Sequence, residues 1–206
     1  MGLYSTYIFP RFMDWLMSGA EFQRLRSSLL KDVQGEVLEI GFGTGLNLVH
    51  YPSDVARLAV ADPARFLPQV VAERISAASF PVETHQITAE ALPFSDHRFD
   101  WVVSTWTLCS VGEPTQALKE VRRVLKPEGH FLFLEHGRSR NESIAAWQQR
   151  LNPIQNLIGC GCNLNRRIDQ LIDQSGLRIV RLDRFHMETV PRIGGEMYHG
   201  WASPNA

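Results

Sequence analysis

The sequence predicts an α/β domain in three layers, a mostly parallel sheet with helices on both faces. Three observations carry the prediction. Short apolar runs alternate with stretches of helical periodicity between residues 36 and 136. The runs are dense in Val, Leu, Ile and Phe, as strands covered on both faces require. A chain of 206 residues with 44% hydrophobic content buries one substantial core and has little room for two, so residues 1–206 are read as a single domain.

Residues 1–30 read as helical, with Phe9, Phe12, Met13, Leu16 and Met17 at mixed three-to-four spacing, followed by Phe22, Leu25, Leu29 and Leu30. This segment is expected to form a lid over a pocket. Residues 36–40 read as a buried strand, 46–51 as the start of a helix cut off before Pro52, 57–61 as a second strand ending at Asp62, and 65–78 as a helix. Strands follow within 80–87 and at 99–104. A helix at 115–125 sets Leu118, Val121 and Leu125 on one face, and Pro127-Glu-Gly129 stops it. Residues 131–134 are a further strand. Helical material at 141–158 is expected to break at Pro153, and a helix at 164–175 to end at Gly176. Strands at 177–185 and 197–202 close the chain as an antiparallel pair. Residues at about 138–165 are expected to build an acceptor site.

Charge gives no global reason for a nucleic-acid partner: 21 basic and 22 acidic residues leave a net charge of -1. No run approaches the roughly 18–20 apolar residues that cross a bilayer, and the first residues carry neither a basic leader nor a signal core. A cytoplasmic location without a transmembrane anchor is therefore expected. The three cysteines, Cys109, Cys160 and Cys162, are no closed set of disulfide pairs and too few for a four-thiolate zinc site, so free thiols and no metal are expected.

Gly41, Gly43 and Gly45 stand between a strand and a helical start, where missing side chains permit a tight turn and close approach of a ligand to backbone donors. Asp62, 21 residues beyond Gly41 at the end of the next strand, is placed to accept hydrogen bonds from two ribose hydroxyls. Leu46 occupies the place of the third glycine of a dinucleotide fingerprint, which argues against a dehydrogenase.

With Glu39-Ile-Gly-Phe-Gly-Thr-Gly45, Asp62, Ala89-Glu-Ala-Leu-Pro-Phe94, Phe99-Asp-Trp-Val-Val103 and Val124-Leu-Lys-Pro-Glu-Gly129 in order, the chain resembles the class I S-adenosylmethionine-dependent methyltransferases. The resemblance implies a Rossmann-like, mostly parallel seven-stranded sheet with a C-terminal antiparallel strand, S-adenosyl-L-methionine as cofactor and S-adenosyl-L-homocysteine as product. It implies that Gly41 and Gly43 line the methionine and ribose side, that Asp62 binds the ribose, that Ala89 or Glu90 lies beside the adenine, that Glu39 holds the glycine loop or approaches the methionine ammonium through water, and that Thr105 contributes a backbone or hydroxyl contact at the same end of the cofactor. Glu128 departs from the usual Gly after Pro127 and leaves that turn's conformation open.

Thr107-Leu-Cys-Ser-Val111, Phe133-Leu-Glu-His136, Trp147-Gln-Gln149, Leu151-Asn-Pro153, Gly161-Cys-Asn-Leu164 and Gly200-Trp-Ala202 extend the resemblance to the small-molecule alkyl thiol methyltransferase branch of methyltransferase-like proteins. The long apolar N-terminal anchor of its membrane-associated animal members has no counterpart here, so their localisation does not carry over. The implied function is methyl transfer to a small-molecule acceptor, first an apolar thiol. The alternatives are O-, N- or C-methylation of a small metabolite, quinone-like or lipid-like acceptor, and a noncatalytic cofactor-binding regulator.

His136, at the end of a predicted strand, is the candidate for activating the acceptor, with a loop-stabilising hydrogen bond as the alternative role. Glu135 is placed to orient it. Tyr7, Trp106 and Trp147 are candidates for an apolar acceptor pocket, each equally suited to a core or hinge role. Cys109 is read as pocket-lining rather than nucleophilic. Asn163 is either an acceptor contact or a helix cap.

Overall fold

The computed structural model describes residues 3–64 and 66–205. Met1 and Gly2 of the expected lid, Arg65 at the head of the helix expected over 65–78, and Ala206 lie outside the described residues.

A π-helical turn at Tyr4–Ile8 leads into α1 (Phe9–Met17), and Gly19 separates this from α2 (Ala20–Leu30). The sheet contains β1 (Gly35–Ile40), β2 (Val55–Ala61), β3 (Val82–His85), β4 (Phe99–Thr105), β5 (Leu125–His136), β6 (Leu177–His186) and β7 (Glu196–Pro204). Between them lie α3 (Pro68–Ser76), α4 (Pro114–Val124), α5 (Glu142–Ile158) and α6 (Ile168–Gln174). The strand order is β3-β2-β1-β4-β5-β7-β6. The first five strands pair in parallel, and β7 runs antiparallel to both β5 and β6, so the expected antiparallel closure is present.

Alternation along the strands builds a core on each face of the sheet. Leu38 and Ile40 of β1, Val102 of β4 and Phe131 and Phe133 of β5 pack under Leu118 and Val121 of α4 and Ile168 and Ile172 of α6. Val37, Val103, Leu132 and Leu134 face the other way, toward Leu29 and Leu30 of α2 and Val71 and Ile75 of α3. Strand order reverses between β1 and β4, and in such sheets the crevice outside the carboxyl ends of the strands receives the ligand.

Four expectations need correction. The helical start at 46–51 is only a 3-10 turn, Leu48–His50, because Tyr51 takes the extended conformation (ψ 135°) that the residue before Pro52 favours. Pro153 does not interrupt α5, which runs unbroken through it. Pro153 lies on the exposed side of that helix, where the carbonyl it leaves without a partner faces solvent. The helix expected over 164–175 begins only at Ile168, since the preceding residues are held in an irregular loop by bonds described below. Gly176 does end it, with φ +83°. The strand expected at 131–134 extends over the whole of β5, including Pro127 and Gly129.

Candidate active site

The chain leaves β1 through Gly41 (φ +72°), whose N–H donates to the Ala61 carbonyl at 2.9 Å. A side chain at Gly41 would collide with Thr107, so the glycine is required by close approach as well as by backbone conformation. Gly43 (φ +59°) is the opposite case: a Cβ there would meet nothing within 4 Å, and its outer side is open. Asp62 ties the loop to the end of β2. Its Oδ2 accepts from Gly43 N at 2.8 Å and its Oδ1 from Ala64 N at 2.8 Å. Burial pushes the Asp62 pKa up, opposed by these two N–H donors. An ionised carboxylate offers about four lone-pair sites, so two remain for hydroxyls of a ribose lying over Gly43. The cradle therefore fits an adenosine cofactor.

Beneath the loop, Glu39 follows Val37 onto the α2 side of β1 and is fully buried. Its Oε2 accepts from the Tyr51 hydroxyl at 2.7 Å and its Oε1 from Asn47 Nδ2 at 3.0 Å. Burial drives the Glu39 pKa up to about 7 despite both donors. Asn47 also donates to Thr105 Oγ1 at 3.0 Å and accepts from Arg26 Nε at 3.0 Å. Arg26, on the inner face of α2, is buried with its pKa lowered to about 10 by desolvation, and its guanidinium lies 4.7 Å from the Trp106 ring centre. Above the loop, Asp14 of α1 receives Arg74 Nη1 at 2.6 Å and Thr44 Oγ1 at 2.6 Å, while Arg74 also reaches the Thr44 carbonyl at 2.8 Å. The N-terminal helices thus grip the glycine loop from two sides. Sequence reasoning missed Asp14, Arg26, Asn47, Tyr51 and Arg74 because their partners lie up to 60 residues away.

A second cluster forms at the carboxyl ends of β4 and β5. Cys109, in the loop after β4, is buried, and His136, the last residue of β5, is 9% exposed. Cys160 (φ +50°) and Gly161 (φ +101°) turn the chain after α5 so that Cys162 reaches this corner, its Sγ 3.2 Å from His136 Nε2. The Cys109 thiol and burial push the Cys162 thiol far above its ordinary range, so it carries its proton. Asn163 locks the two loops together: its backbone N–H and its Nδ2 both donate to the Cys109 carbonyl at 2.9 Å. Its Oδ1 accepts from Asn152 at 3.0 Å and Asn156 at 3.3 Å, and Arg166 donates to the Leu108 carbonyl. Asn163 is therefore no helix cap; the residue preceding α6 is Arg167.

Glu135 does not orient His136, because alternation sends the two side chains to opposite faces of β5. Glu135 instead fixes the loop after β4, accepting from Ser104 Oγ at 2.6 Å and from the N–H groups of Thr107 and Leu108 at 3.1 Å each. Trp106 (φ +50°) sits at the start of that loop between the two clusters, its ring edge-on to Phe22 and its backbone N–H donating to the Leu134 carbonyl at 2.8 Å.

The remaining candidates lie elsewhere. Ala89 packs into the core, and Glu90 accepts from Glu113 N at 3.1 Å ahead of α4. Tyr7 is 53% exposed on the N-terminal turn, and Trp147 is 56% exposed on α5 beneath the Arg150 guanidinium. The Tyr4 hydroxyl donates to the Ile158 carbonyl, joining the first turn to the end of α5, with Tyr7, Ile8, Phe12, Ile154, Leu157 and Ile158 exposed. A broad depression of about 790 Å³, lined by His97, Pro127 and Trp201 among others, opens at the amino ends of β4 and β5, away from both clusters.

Residues 38–133 match the family described as a methyltransferase domain. The chain is 33% identical over 168 residues to thiol S-methyltransferase TMT1B of Rattus norvegicus, covering 76% of this chain and 67% of that one. It is 34% identical over 155 residues to the TMT1B of Homo sapiens, covering 72% and 62%. The chain thus spans about two thirds of these relatives. A solved SAM-dependent methyltransferase from Methanosarcina mazei shares the fold with a TM-score of 0.62 at 20% identity, covering 82% of this chain and 92% of its own.

Proposed function

Because the chain belongs to the methyltransferase-domain family, on the branch of the thiol S-methyltransferases, we propose that it methylates the sulfur of a small, apolar thiol. S-adenosylmethionine, the methyl donor of this enzyme class, supplies an electrophilic sulfonium methyl group. The observation that carries the reading is the placement of two clusters along one edge of the sheet: the Gly43–Asp62 cradle ends β1 and β2, and Cys109, His136 and Cys162 gather at the ends of β4 and β5.

Direct displacement needs an acceptor sulfur in line with the methyl group, access closed to water, and a route for the thiol proton. Asp62 and the glycine loop hold the cofactor by its ribose, Glu39 and Thr105 support that loop through Asn47, and Ala89 and Glu90 flank the adenine. Residues 3–30 form the lid, and the segment at about 138–165 the acceptor side, with Tyr7, Trp106, Cys109, Trp147 and Asn163 lining it. The exposed aromatic and aliphatic side chains of Tyr7, Phe12, Ile154 and Leu157 favour an apolar acceptor entering between them. His136 is the group beside the acceptor that takes or directs the thiol proton. Its Nδ1 is buried without a hydrogen-bond partner and so has capacity for one. The three unbridged cysteines favour a reducing compartment, the cytoplasm, and among the described residues no helix is long and apolar enough to cross a membrane.

The test is incubation of the protein with methyl-labelled S-adenosylmethionine and a panel of alkyl thiols, phenols, amines and quinols, with the methylated atom located by mass spectrometry. Label on sulfur of apolar thiols is expected. Efficient transfer to oxygen, nitrogen or carbon with none to thiols overturns the thiol assignment, and cofactor binding without transfer to any acceptor overturns the enzymatic one.

A further inference from the structure

The expectation of no metal rested on three cysteines being too few for a four-thiolate site. The fold sends Cys160 to the surface and joins Cys162 to Cys109 and His136. One ligand atom from each of these three side chains lies within 4.8 Å of the other two, and no other triad of His, Cys, Asp or Glu does so among the described residues. In a tetrahedral zinc site, metal–sulfur bonds of about 2.3 Å and metal–nitrogen bonds of about 2.0 Å place neighbouring ligand atoms roughly 3.5–3.8 Å apart. The 3.2 Å between His136 Nε2 and Cys162 Sγ is close to that spacing, so small side-chain rotations suffice.

Two further features distinguish the corner from a chance meeting of thiols. It is braced from outside by bonds that involve none of the three side chains: Asn163 to the Cys109 carbonyl and Arg166 to the Leu108 carbonyl. A backbone arranged in advance lowers the cost of assembling ligands around an ion. The His136 ring also leaves Nδ1 buried and unsatisfied, an uncommon state that marks the corner as having capacity for a further partner.

We propose that Cys109, His136 and Cys162 bind one divalent, zinc-type cation and leave its fourth position for the acceptor sulfur. Three protein ligands and an open position are the arrangement of catalytic rather than structural zinc. Two thiolates and a neutral imidazole balance the dication; an entering thiolate brings the site to one net negative charge, which the Arg166 guanidinium beside Cys109 and Cys162 offsets. On coordination the acceptor thiol releases its proton to solvent. Its sulfur lone pair then forms the new carbon–sulfur bond, while the sulfonium carbon–sulfur bond breaks with its electron pair on the departing thioether. His136 serves here through the metal, a refinement that rests on the thiol reading above.

The experiment uses the full chain, stripped with a chelator under reducing conditions and titrated with Co²⁺ and then Zn²⁺. One equivalent of Co²⁺ should bind, with thiolate-to-cobalt charge-transfer bands and the visible bands of four-coordinate cobalt, and a short alkanethiol should shift those visible bands. C109S, C162S and H136N should each weaken binding on the order of a hundredfold or more, while binding of S-adenosylhomocysteine stays intact and reports that the variants fold. Absence of stoichiometric binding overturns the metal site, and a chelated protein that still methylates thiols at full rate does the same while leaving the acceptor assignment standing. A bound metal held by all three side chains, with visible bands that no thiol shifts, overturns the open acceptor position.

Discussion

Replacing Glu39 by Gln should remove a pH dependence that the buried carboxyl imposes on folding. Glu39 is 1% exposed, and desolvation raises its pKa from the ordinary 4.5 to about 7. The folded state therefore holds an additional proton between those values, and the stability this contributes is fully present below pH 4.5 and lost as pH rises through 7. A difference of roughly 2.5 pKa units at 1.36 kcal/mol each amounts to about 3 kcal/mol. Glutamine keeps the shape, still accepts from Asn47 through Oε1, and presents its amide to the Tyr51 oxygen, which can accept. Burial lowers the pKa values of His50, His130 and His199 and adds pH dependence of the opposite sign, so the informative quantity is the difference between the variant and the parent chain. Urea unfolding of both proteins from about pH 4.5 to about pH 8 measures it. The stability of E39Q relative to the parent should climb by about 3 kcal/mol across that range. A difference constant to within about 0.5 kcal/mol would refute the buried, proton-holding carboxyl.

D62N should weaken S-adenosylhomocysteine binding roughly 10- to 150-fold in calorimetry, the equivalent of about 1.5–3 kcal/mol for hydrogen bonds to a charged group; unchanged affinity would remove Asp62 from the ribose site. H136A should lower kcat on a thiol acceptor on the order of a hundredfold while leaving that affinity in place, and an unaltered kcat would deny His136 any part in acceptor activation. R74A cuts the partly buried contacts to Asp14 and to the Thr44 carbonyl. At about 1 kcal/mol, this should make α1 roughly fivefold more susceptible to limited proteolysis, and protection equal to the parent would show that the contact does not hold the helix down.

The parallel sheet was legible because β1, β2, β4 and β5 are apolar runs bounded by Gly, Pro and Asp, and those signals are local. The nearness of Gly43 and Asp62 was legible for a related reason: both follow the carboxyl ends of adjacent parallel strands, although the bond between them was not expected. Helix limits were less so. Whether Leu164–Arg167 continues into α6 is settled by Asn163, whose partners at Cys109, Asn152 and Asn156 are fixed only by tertiary packing. Pro153 was misread because a proline signal does not say which side of a helix faces solvent. Glu135 and His136 were read together as neighbours in sequence, whereas a strand separates neighbours by design. The Cys109–His136–Cys162 corner joins a strand end to two loops, and no spacing rule links residues that the β4–β5 pairing and the turn after α5 bring side by side.

The two-sided grip on the glycine loop has a consequence for how this scaffold can change. Asp14 bonds Thr44 and Arg26 bonds Asn47, so the first 30 residues are fastened to the same short loop proposed to cradle the cofactor. Exchanging that segment with a relative's, the obvious way to recode which acceptor enters under the proposed function, also replaces two of the loop's anchors and costs Asn47 its Arg26 donor and Thr44 its Asp14 acceptor. A graft that keeps Asp14 and Arg26 while varying the outward-facing Phe12 and Trp15 separates the two properties. Selectivity can then drift on the outer face of the helix while its inner face stays under constraint from the donor.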